Sequence, residues 1–259
     1  MWMRVSGLIL RPLYLYRRSL ARAGEIFFWP VMDLLVWGFV TAYMERLNVT
    51  ALFLLGSLIF WDILYRSQQA ITFSITEEIW VKNILNIFIA PVSIYELMLS
   101  TCLLGVIKAL ITAVVLGGLA YLLYAFNLLA IGMAILPFMV SLLLFGWAVG
   151  MVTTALILRL GQAAEALVWG VPFLIQPFSA VFYPVDVLPK VLQVIAHGLP
   201  STYIFEGMRT ALRTGTVDVS MLMTAFALNV VYLAAGATFF GWMFQQVRKK
   251  GYLSRLGME

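Results

Sequence analysis

Two long stretches without a charged side chain constrain the fold of this chain more than any other feature. Residues 109–158 and 219–247 contain no Asp, Glu, Lys or Arg. A membrane-spanning helix needs about 20 apolar residues, because the hydrocarbon core of a bilayer is about 30 Å thick. The first stretch is too long for one crossing and suits two, which predicts a helical hairpin in a membrane.

The composition of the chain supports the same class of protein. Hydrophobic residues make up 63% of the sequence and charged residues only 11%, whereas soluble domains carry about 25% charged residues. The strands of an outer-membrane barrel alternate apolar and polar residues, and the uncharged stretches do not. The sequence therefore predicts an all-α integral membrane protein that forms a single transmembrane domain over residues 1–259.

Six membrane crossings are predicted, with three further segments between and around them. Residues 1–22 mix apolar residues with arginines and predict an amphipathic helix in the membrane interface. Residues 77–93 predict a short cytoplasmic helix that ends before a proline-started helix. Glycine and proline interrupt residues 183–213, which predicts a broken outer or re-entrant hairpin before the last span. The predicted spans are approximately 26–44, from 51 onwards, 95–124, 129–158, 165–182 and 219–247.

Positive charges predict the orientation. About eleven Lys and Arg residues lie on one predicted side, among them five in the first 22 residues and three at the start of the tail 248–259, against a few on the other side. Both termini are therefore expected in the cytoplasm, which requires an even number of crossings. The formal net charge of +5 points to anionic lipid head groups as partners rather than nucleic acid, because the cations flank the spans.

Ionisable residues inside the predicted spans are the candidate functional groups: Asp33, Asp62, Arg66 and Lys108. An unpaired Asp at a helix centre costs roughly 2.5–3.5 kcal/mol, so Asp33 either pairs with Arg66 or another polar group of the second span, or serves as a proton or substrate site. Asp62 and Arg66 are four residues apart, which favours a local ion pair. Lys108 either extends to the interface or lines a cavity for an anionic substrate. The polar half of the second span is expected to face protein or water.

Other motifs give mainly negative indications. His197 is the only histidine and Cys102 the only cysteine, so neither a metal site nor a catalytic triad is expected. No Gly-rich phosphate-binding loop is present, so any ATP must be bound by another chain. Gly146 and Gly150 form a Gly-x-x-x-Gly pair that is expected to pack inside the chain, with a dimer contact as the alternative.

The sequence around the broken hairpin resembles the carboxy-terminal signature of type-2 ATP-binding-cassette exporter permeases. The similarity covers nearly the whole chain in length, span number and segment order. Two positions depart from the pattern: Ala180, where glycine is common, and Ser201, where a larger apolar residue is expected. The similar segments are Val181-Phe182-Tyr183-Pro184, Leu188-Pro189, Leu199-Pro200-Ser201-Thr202-Tyr203 and Glu206-Gly207-Met208-Arg209.

This resemblance implies a half-transporter. Two permease copies, identical or paralogous, would pair, and two separate ATPase subunits would bind ATP and Mg beneath them, so no cofactor is expected on this chain. The substrate would be a lipid, a glycan or a drug-like molecule. Residues 77–93 would be the coupling helix, with ATPase contacts from Glu78, Lys82, Asn83 and Asn86. The expected outer gate consists of Tyr203, Glu206 and Arg209.

Two other functions stay open at this stage. A proton-coupled secondary transporter would use the intramembrane residues as its relay. A membrane scaffold or maturation subunit would associate with an enzyme and carry no flux of its own. The proton relay would consist of Asp33, Asp62, Arg66 and Glu165.

Overall fold

A computed structural model of the protein describes residues 2–48, 51–83 and 93–250. Within these ranges the chain forms nine α-helices joined by turns and short 3-10 segments, and no strand occurs there. The predicted all-α fold is confirmed. In chain order the helices are α1 (Trp2–Arg18), α2 (Leu20–Arg46), α3 (Phe53–Trp80), α4 (Ile94–Tyr124), α5 (Ile135–Leu160), α6 (Leu167–Ile175), α7 (Lys190–His197), α8 (Pro200–Thr214) and α9 (Val219–Lys249).

Four of the described helices, α2, α4, α5 and α9, are long and apolar enough to cross a membrane. Helix α3 is also long, at 28 residues, but it carries several charged side chains. Helix α6 and the 3-10 turn after it span only Leu167–Ser179, which is shorter than the roughly 20 residues that a full crossing needs. The chain is a multi-pass membrane protein, and the number of six crossings stays a prediction.

Helix α3 lies in the centre of the bundle, packed between α4 and α5. Its polar side chains are buried by protein: Ser67, Gln68 and Thr72 are each 0% exposed. The Gln68 side chain donates to the Thr72 hydroxyl at 3.0 Å. The expectation that the polar half of this helix faces protein or water rather than lipid is confirmed.

Glycines allow α3 and α5 to approach closely. A Cβ atom at Gly146 would lie 2.6 Å from the Leu64 carbonyl oxygen, and one at Gly150 would lie 2.9 Å from the Gln68 carbonyl oxygen. Across the same contact, the Ser67 hydroxyl donates to the Leu143 carbonyl oxygen at 2.7 Å. The Gly-x-x-x-Gly pair therefore packs inside the chain, which is the reading that the sequence favoured.

The segment between α3 and α4 differs from the prediction. Helix α3 continues to Trp80, so residues 77–80 end a long helix and do not start a separate short one. Helix α4 begins at Ile94 and is started by Ser93, whose side chain forms a reciprocal capping box with Glu96. The predicted proline start is therefore wrong: Ser93 supplies the cap. Residues 84–92 lie outside the described part of the chain.

Other predicted boundaries shift for local reasons. The first predicted span, about 26–44, agrees with the apolar segment Ile26–Arg46, although helix α2 itself begins at Leu20. Helix α5 starts only at Ile135, because Gly132, with φ of 69°, breaks the helix in the 3-10 segment before it. The predicted fifth span 165–182 shortens to α6, followed by a 3-10 turn that contains Pro177 and ends at Ala180.

The predicted broken hairpin over residues 183–213 is present as a turn and two helices. A 3-10 turn, Val185–Val187, leads to α7, and the chain becomes extended at Leu199 before Pro200 starts α8. Helix α8 packs against α9, α5 and α3, and Ile204, Phe205 and Met208 are each 0% exposed. The hairpin is therefore anchored in the bundle by α8.

Candidate functional site

A cavity of about 180 Å³ lies between α2, α3 and α6 and contains three of the four predicted intramembrane charges. Six of the thirteen described lining residues are aromatic, and the Trp37 ring stacks on Phe182 with 4.3 Å between centroids. The cavity is therefore an aromatic compartment with a small set of charged groups. It is lined by Trp29, Pro30, Asp33, Trp37, Leu58, Trp61, Asp62, Tyr65, Arg66, Leu116, Phe173, Gln176 and Phe182.

Asp62 and Arg66 form the local ion pair that their spacing predicts. The Arg66 Nε atom lies 3.3 Å from Asp62 Oδ1, and its Nη2 atom donates to the Ile26 carbonyl oxygen at 2.7 Å. Two of the three guanidinium nitrogens are thus held by protein groups. Arg66 therefore joins α3 to α2 and balances the charge of Asp62.

Asp33 makes neither an ion pair nor a hydrogen bond with its side chain within the described ranges. Arg66 forms its direct contacts with Asp62 and with the Ile26 carbonyl oxygen, and it acts on Asp33 only through its charge. The alternative role of Asp33 as a proton or substrate site stays a prediction. The Asp33 side chain is exposed at the cavity. If all three charged groups are ionised, the cavity carries one uncompensated negative charge, which comes from Asp33.

Lys108 does not line this cavity; it contacts α1. Its Nζ atom donates to the Tyr16 hydroxyl at 2.8 Å and lies 4.9 Å from the centre of the Tyr16 ring. Arg4 lies 3.7 Å from Glu96 near the start of the same helix α4. Because equal numbers of residues separate the two contacts on each helix, α1 runs beside α4 in the same direction. The position of α1 in the membrane interface stays a prediction.

Glu78, one of the predicted ATPase-contacting residues, is the buried centre of a small polar cluster. It is 8% exposed, forms an ion pair with Arg11 of α1, and accepts a hydrogen bond from the Asn83 side chain at 2.7 Å. Lys82 is exposed and has a left-handed backbone with φ of 55°. Asn86 lies outside the described residues. The ATPase contact of these side chains stays a prediction.

The predicted gate residues lie on α8 and connect it to the turn before α7 and to the end of α7. The Tyr203 hydroxyl donates to the His197 carbonyl oxygen at 3.0 Å. Glu206 accepts from the Val185 backbone N–H at 2.8 Å, and Arg209 lies 2.9 Å from Glu206. Each of these side chains contacts the chain itself, and their opening as a gate stays a prediction.

Several contributing residues were not singled out from the sequence. Arg11 and Tyr16 were read only as part of an amphipathic helix, and the buried Asn229 was overlooked. Asn229 in α9 donates to the Ser141 hydroxyl at 2.7 Å and to the Ser141 carbonyl at 3.0 Å. An amide in the uncharged stretch 219–247 is the signal that identifies this position, because polar groups inside spans usually have partners.

No group of three or more His, Cys, Asp or Glu side chains is placed to hold a metal ion in the part of the chain that the structure describes. The His197 ring lies 6.2 Å from the Tyr203 ring. The chemistry that the described residues support is binding and positioning: an aromatic cavity, one free carboxylate and a set of interhelical ion pairs.

Together these features define a helical membrane protein with an aromatic cavity that contains a few charged groups. Comparison with known families is consistent with this class: the family described as ABC-2 type transporter matches residues 14–212. The chain belongs to the ABC-2 type transporter family and is a permease subunit of an ABC transporter. None of the curated proteins compared with the chain matches it.

Proposed function

We propose that this chain is the membrane subunit of an ATP-driven exporter. A separate ATPase binds and hydrolyses ATP with Mg, docks on residues 77–93, and drives rearrangement of two paired permease copies. The transported substrate is a lipid, a glycan or a drug-like molecule. The protein acts in a bacterial inner membrane, with both termini in the cytoplasm.

The observation that carries this proposal is the continuity of α3. One unbroken helix holds Glu78 at its end and Asp62 and Arg66 further along, in the wall of the cavity. At 1.5 Å per residue, Glu78 and Arg66 are separated by about 18 Å along the helix axis. A force applied at the proposed coupling segment therefore reaches the cavity through a rigid element.

Helix α1 adds a second support, because Arg11 binds Glu78 at the same end of α3. The segment that would receive the ATPase is thus attached to both α1 and α3, and through α1 to α4 by the contact of Tyr16 with Lys108. In a two-state transporter, ATP binding shifts the population between states only if the ATPase contacts differ between them. The cluster at Glu78 is where we propose that the ATPase contacts differ between the two states.

A proton-coupled transporter is the second candidate, and one observation favours it. Asp33 faces the cavity without an ion-pair partner within the described ranges, as a carboxylate that binds and releases a proton would. This function requires an ion gradient and no ATPase. The family match favours the ATP-driven alternative.

The test combines the purified chain with a candidate ATPase subunit in liposomes. Wild type is compared with Lys82→Ala plus Asn83→Ala, and with Lys190→Ala as the matched control, an exposed lysine at the start of α7. We expect the double variant to lose ATPase assembly or to uncouple ATP turnover, and the control to behave as wild type. Unchanged assembly and turnover would contradict the coupling role of residues 77–93. Transport driven by a proton gradient without any ATPase would replace the proposed function.

A further inference from the structure

The aromatic cavity contains two carboxylates and one guanidinium among the residues that the structure describes. Asp33, Asp62 and Arg66 are its three charged residues, and Arg66 is ion-paired with Asp62. The remaining unit of negative charge stands among tryptophan, tyrosine and phenylalanine rings. A cation gains from both features, because a carboxylate attracts it by charge and aromatic faces attract it by their quadrupoles.

A second carboxylate lies in the wall of the same cavity. Asp62 is only 8% exposed, and its Oδ1 atom is paired with Arg66. The Thr112 hydroxyl lies beside Asp62 and also donates to the Lys108 carbonyl oxygen at 2.6 Å. Asp62 therefore adds negative charge to the cavity wall, while Asp33 is the carboxylate that is exposed to a ligand.

The opposite charge fits the cavity less well. Among the lining residues that the structure describes, Arg66 is the only cation. Its guanidinium already donates to Asp62 and to the Ile26 carbonyl oxygen. An anion would meet Asp33 and Asp62 without a free cationic partner. Repulsion from the two carboxylates therefore disfavours binding of an anion.

Size restricts the ligand further. Pockets for drug-sized molecules have volumes of roughly 300–1,000 Å³, and this cavity has about 180 Å³. It accommodates a charged head group, while an attached apolar body must lie outside, beside exposed rings such as Trp29 and Phe173.

We propose that the cavity binds the ammonium group of an amphiphilic organic cation, with Asp33 as its counter-ion and the surrounding rings as a cation–π cage. The identification of this ligand as a transported substrate rests on the proposed function. Binding itself does not, because it needs neither the ATPase nor ATP. The ammonium group could belong to a soluble organic cation or to a choline head group of a lipid.

The experiment measures equilibrium binding of radiolabelled benzyltrimethylammonium to the purified full chain in dodecyl maltoside, a detergent without an ammonium group. Variants are Asp33→Asn, Asp33→Glu, Trp29→Leu and, as the matched control, Glu45→Gln, which removes a carboxylate from the exposed end of the same helix. We expect Asp33→Asn to weaken binding about tenfold or more, and Trp29→Leu to weaken it severalfold. Asp33→Glu and Glu45→Gln should stay within about twofold of wild type.

Two competitors identify the source of the ammonium group. Neopentylbenzene, the uncharged carbon isostere, should not displace the probe. Displacement by lysophosphatidylcholine at lower concentration than by unlabelled probe assigns the site to lipid head groups; the reverse order assigns it to soluble cations. Both results uphold ammonium binding.

Folding is checked by thermal unfolding, and Asp33→Asn should not destabilise the chain, because an amide is less costly than a carboxylate inside a membrane.

Absence of probe binding, or binding that Asp33→Asn leaves unchanged, would overturn the ammonium proposal. Either result would leave ATP coupling through residues 77–93 untouched. Conversely, Asp33-dependent binding in a chain that has no ATPase partner would uphold the cavity assignment and refute ATP-driven export.

Discussion

Arg11 of α1 and Glu78 of α3 form a two-pronged ion pair that joins residues 67 positions apart. Besides the close Nη1 to Oε1 contact, Arg11 Nη2 donates to Glu78 Oε2 at 3.3 Å. The Glu78 side chain is 10% exposed and that of Arg11 is 48% exposed. The pair therefore has one buried partner and is less screened by water than a surface ion pair.

We predict a measurable interaction energy between Arg11 and Glu78. In a double-mutant cycle with Arg11→Gln and Glu78→Gln, the two losses in unfolding free energy should differ from additivity by about 0.5–3 kcal/mol. Denaturant titration in detergent measures it. Arg17→Gln, at an exposed arginine of the same helix, is the control and should add to Glu78→Gln without interaction. Additive losses for the Arg11 cycle as well would show that the pair contributes nothing.

Such a long-range pair could not be predicted from one sequence, whereas the local pair could. Asp62 and Arg66 lie one helical turn apart, so their spacing alone places them on one face. Arg11 meets Glu78 only after α1 has packed beside α3 and α4. Helix packing also explains why Arg66 does not contact Asp33 directly, since Arg66 is held by the backbone of α2 at Ile26.

The fold was predictable where hydrophobic length determines it, as in the uncharged stretches that become α4, α5 and α9. The predicted helix boundaries differed from the structure where the backbone conformation of a single residue ends or starts a helix. Ala180 illustrates this: its φ of 52° is left-handed, a conformation that costs non-glycine residues about 1–2 kcal/mol. The left-handed backbone gives a physical reason to expect glycine at this position, and it becomes visible only when the backbone is known.

Gly146 and Gly118 provide a matched test of helix packing. Gly146→Ala places a Cβ atom 2.6 Å from both the Leu64 carbonyl oxygen and the Ser67 Cβ atom. We expect a loss of about 1–3 kcal/mol in unfolding free energy, because α3 and α5 must separate. Gly118→Ala meets no atom within 4 Å and should be neutral or stabilising by up to about 1 kcal/mol. Equal effects of the two substitutions would contradict the close approach of α3 and α5 at Gly146.

Glu206 should control the order of the hairpin turn before α7. Glu206→Ala removes the acceptor of the Val185 N–H and the partner of Arg209, whereas Glu206→Gln keeps an oxygen acceptor and loses the charge. Hydrogen exchange of the Val185 amide should therefore accelerate strongly in the alanine variant and moderately in the glutamine variant. Arg213→Gln, an exposed position of α8, is the control. Equal exchange in all four proteins would show that Glu206 does not hold the turn.

Tyr16 should show a graded loss that separates its two contacts with Lys108. Tyr16→Phe removes the 2.8 Å hydrogen bond and keeps the ring under the ammonium group, for an expected loss of about 0.5–1.5 kcal/mol. Tyr16→Leu removes the ring as well and should lower the unfolding free energy by about a further 0.5–2 kcal/mol. The same substitutions at Tyr14, which is 58% exposed on the same helix, should change unfolding free energy by less than about 0.5 kcal/mol. If the Tyr16 and Tyr14 variants lose the same unfolding free energy, the contact of Lys108 with α1 does not stabilise the chain. Extension of Lys108 toward the interface then becomes the better explanation of a lysine in α4.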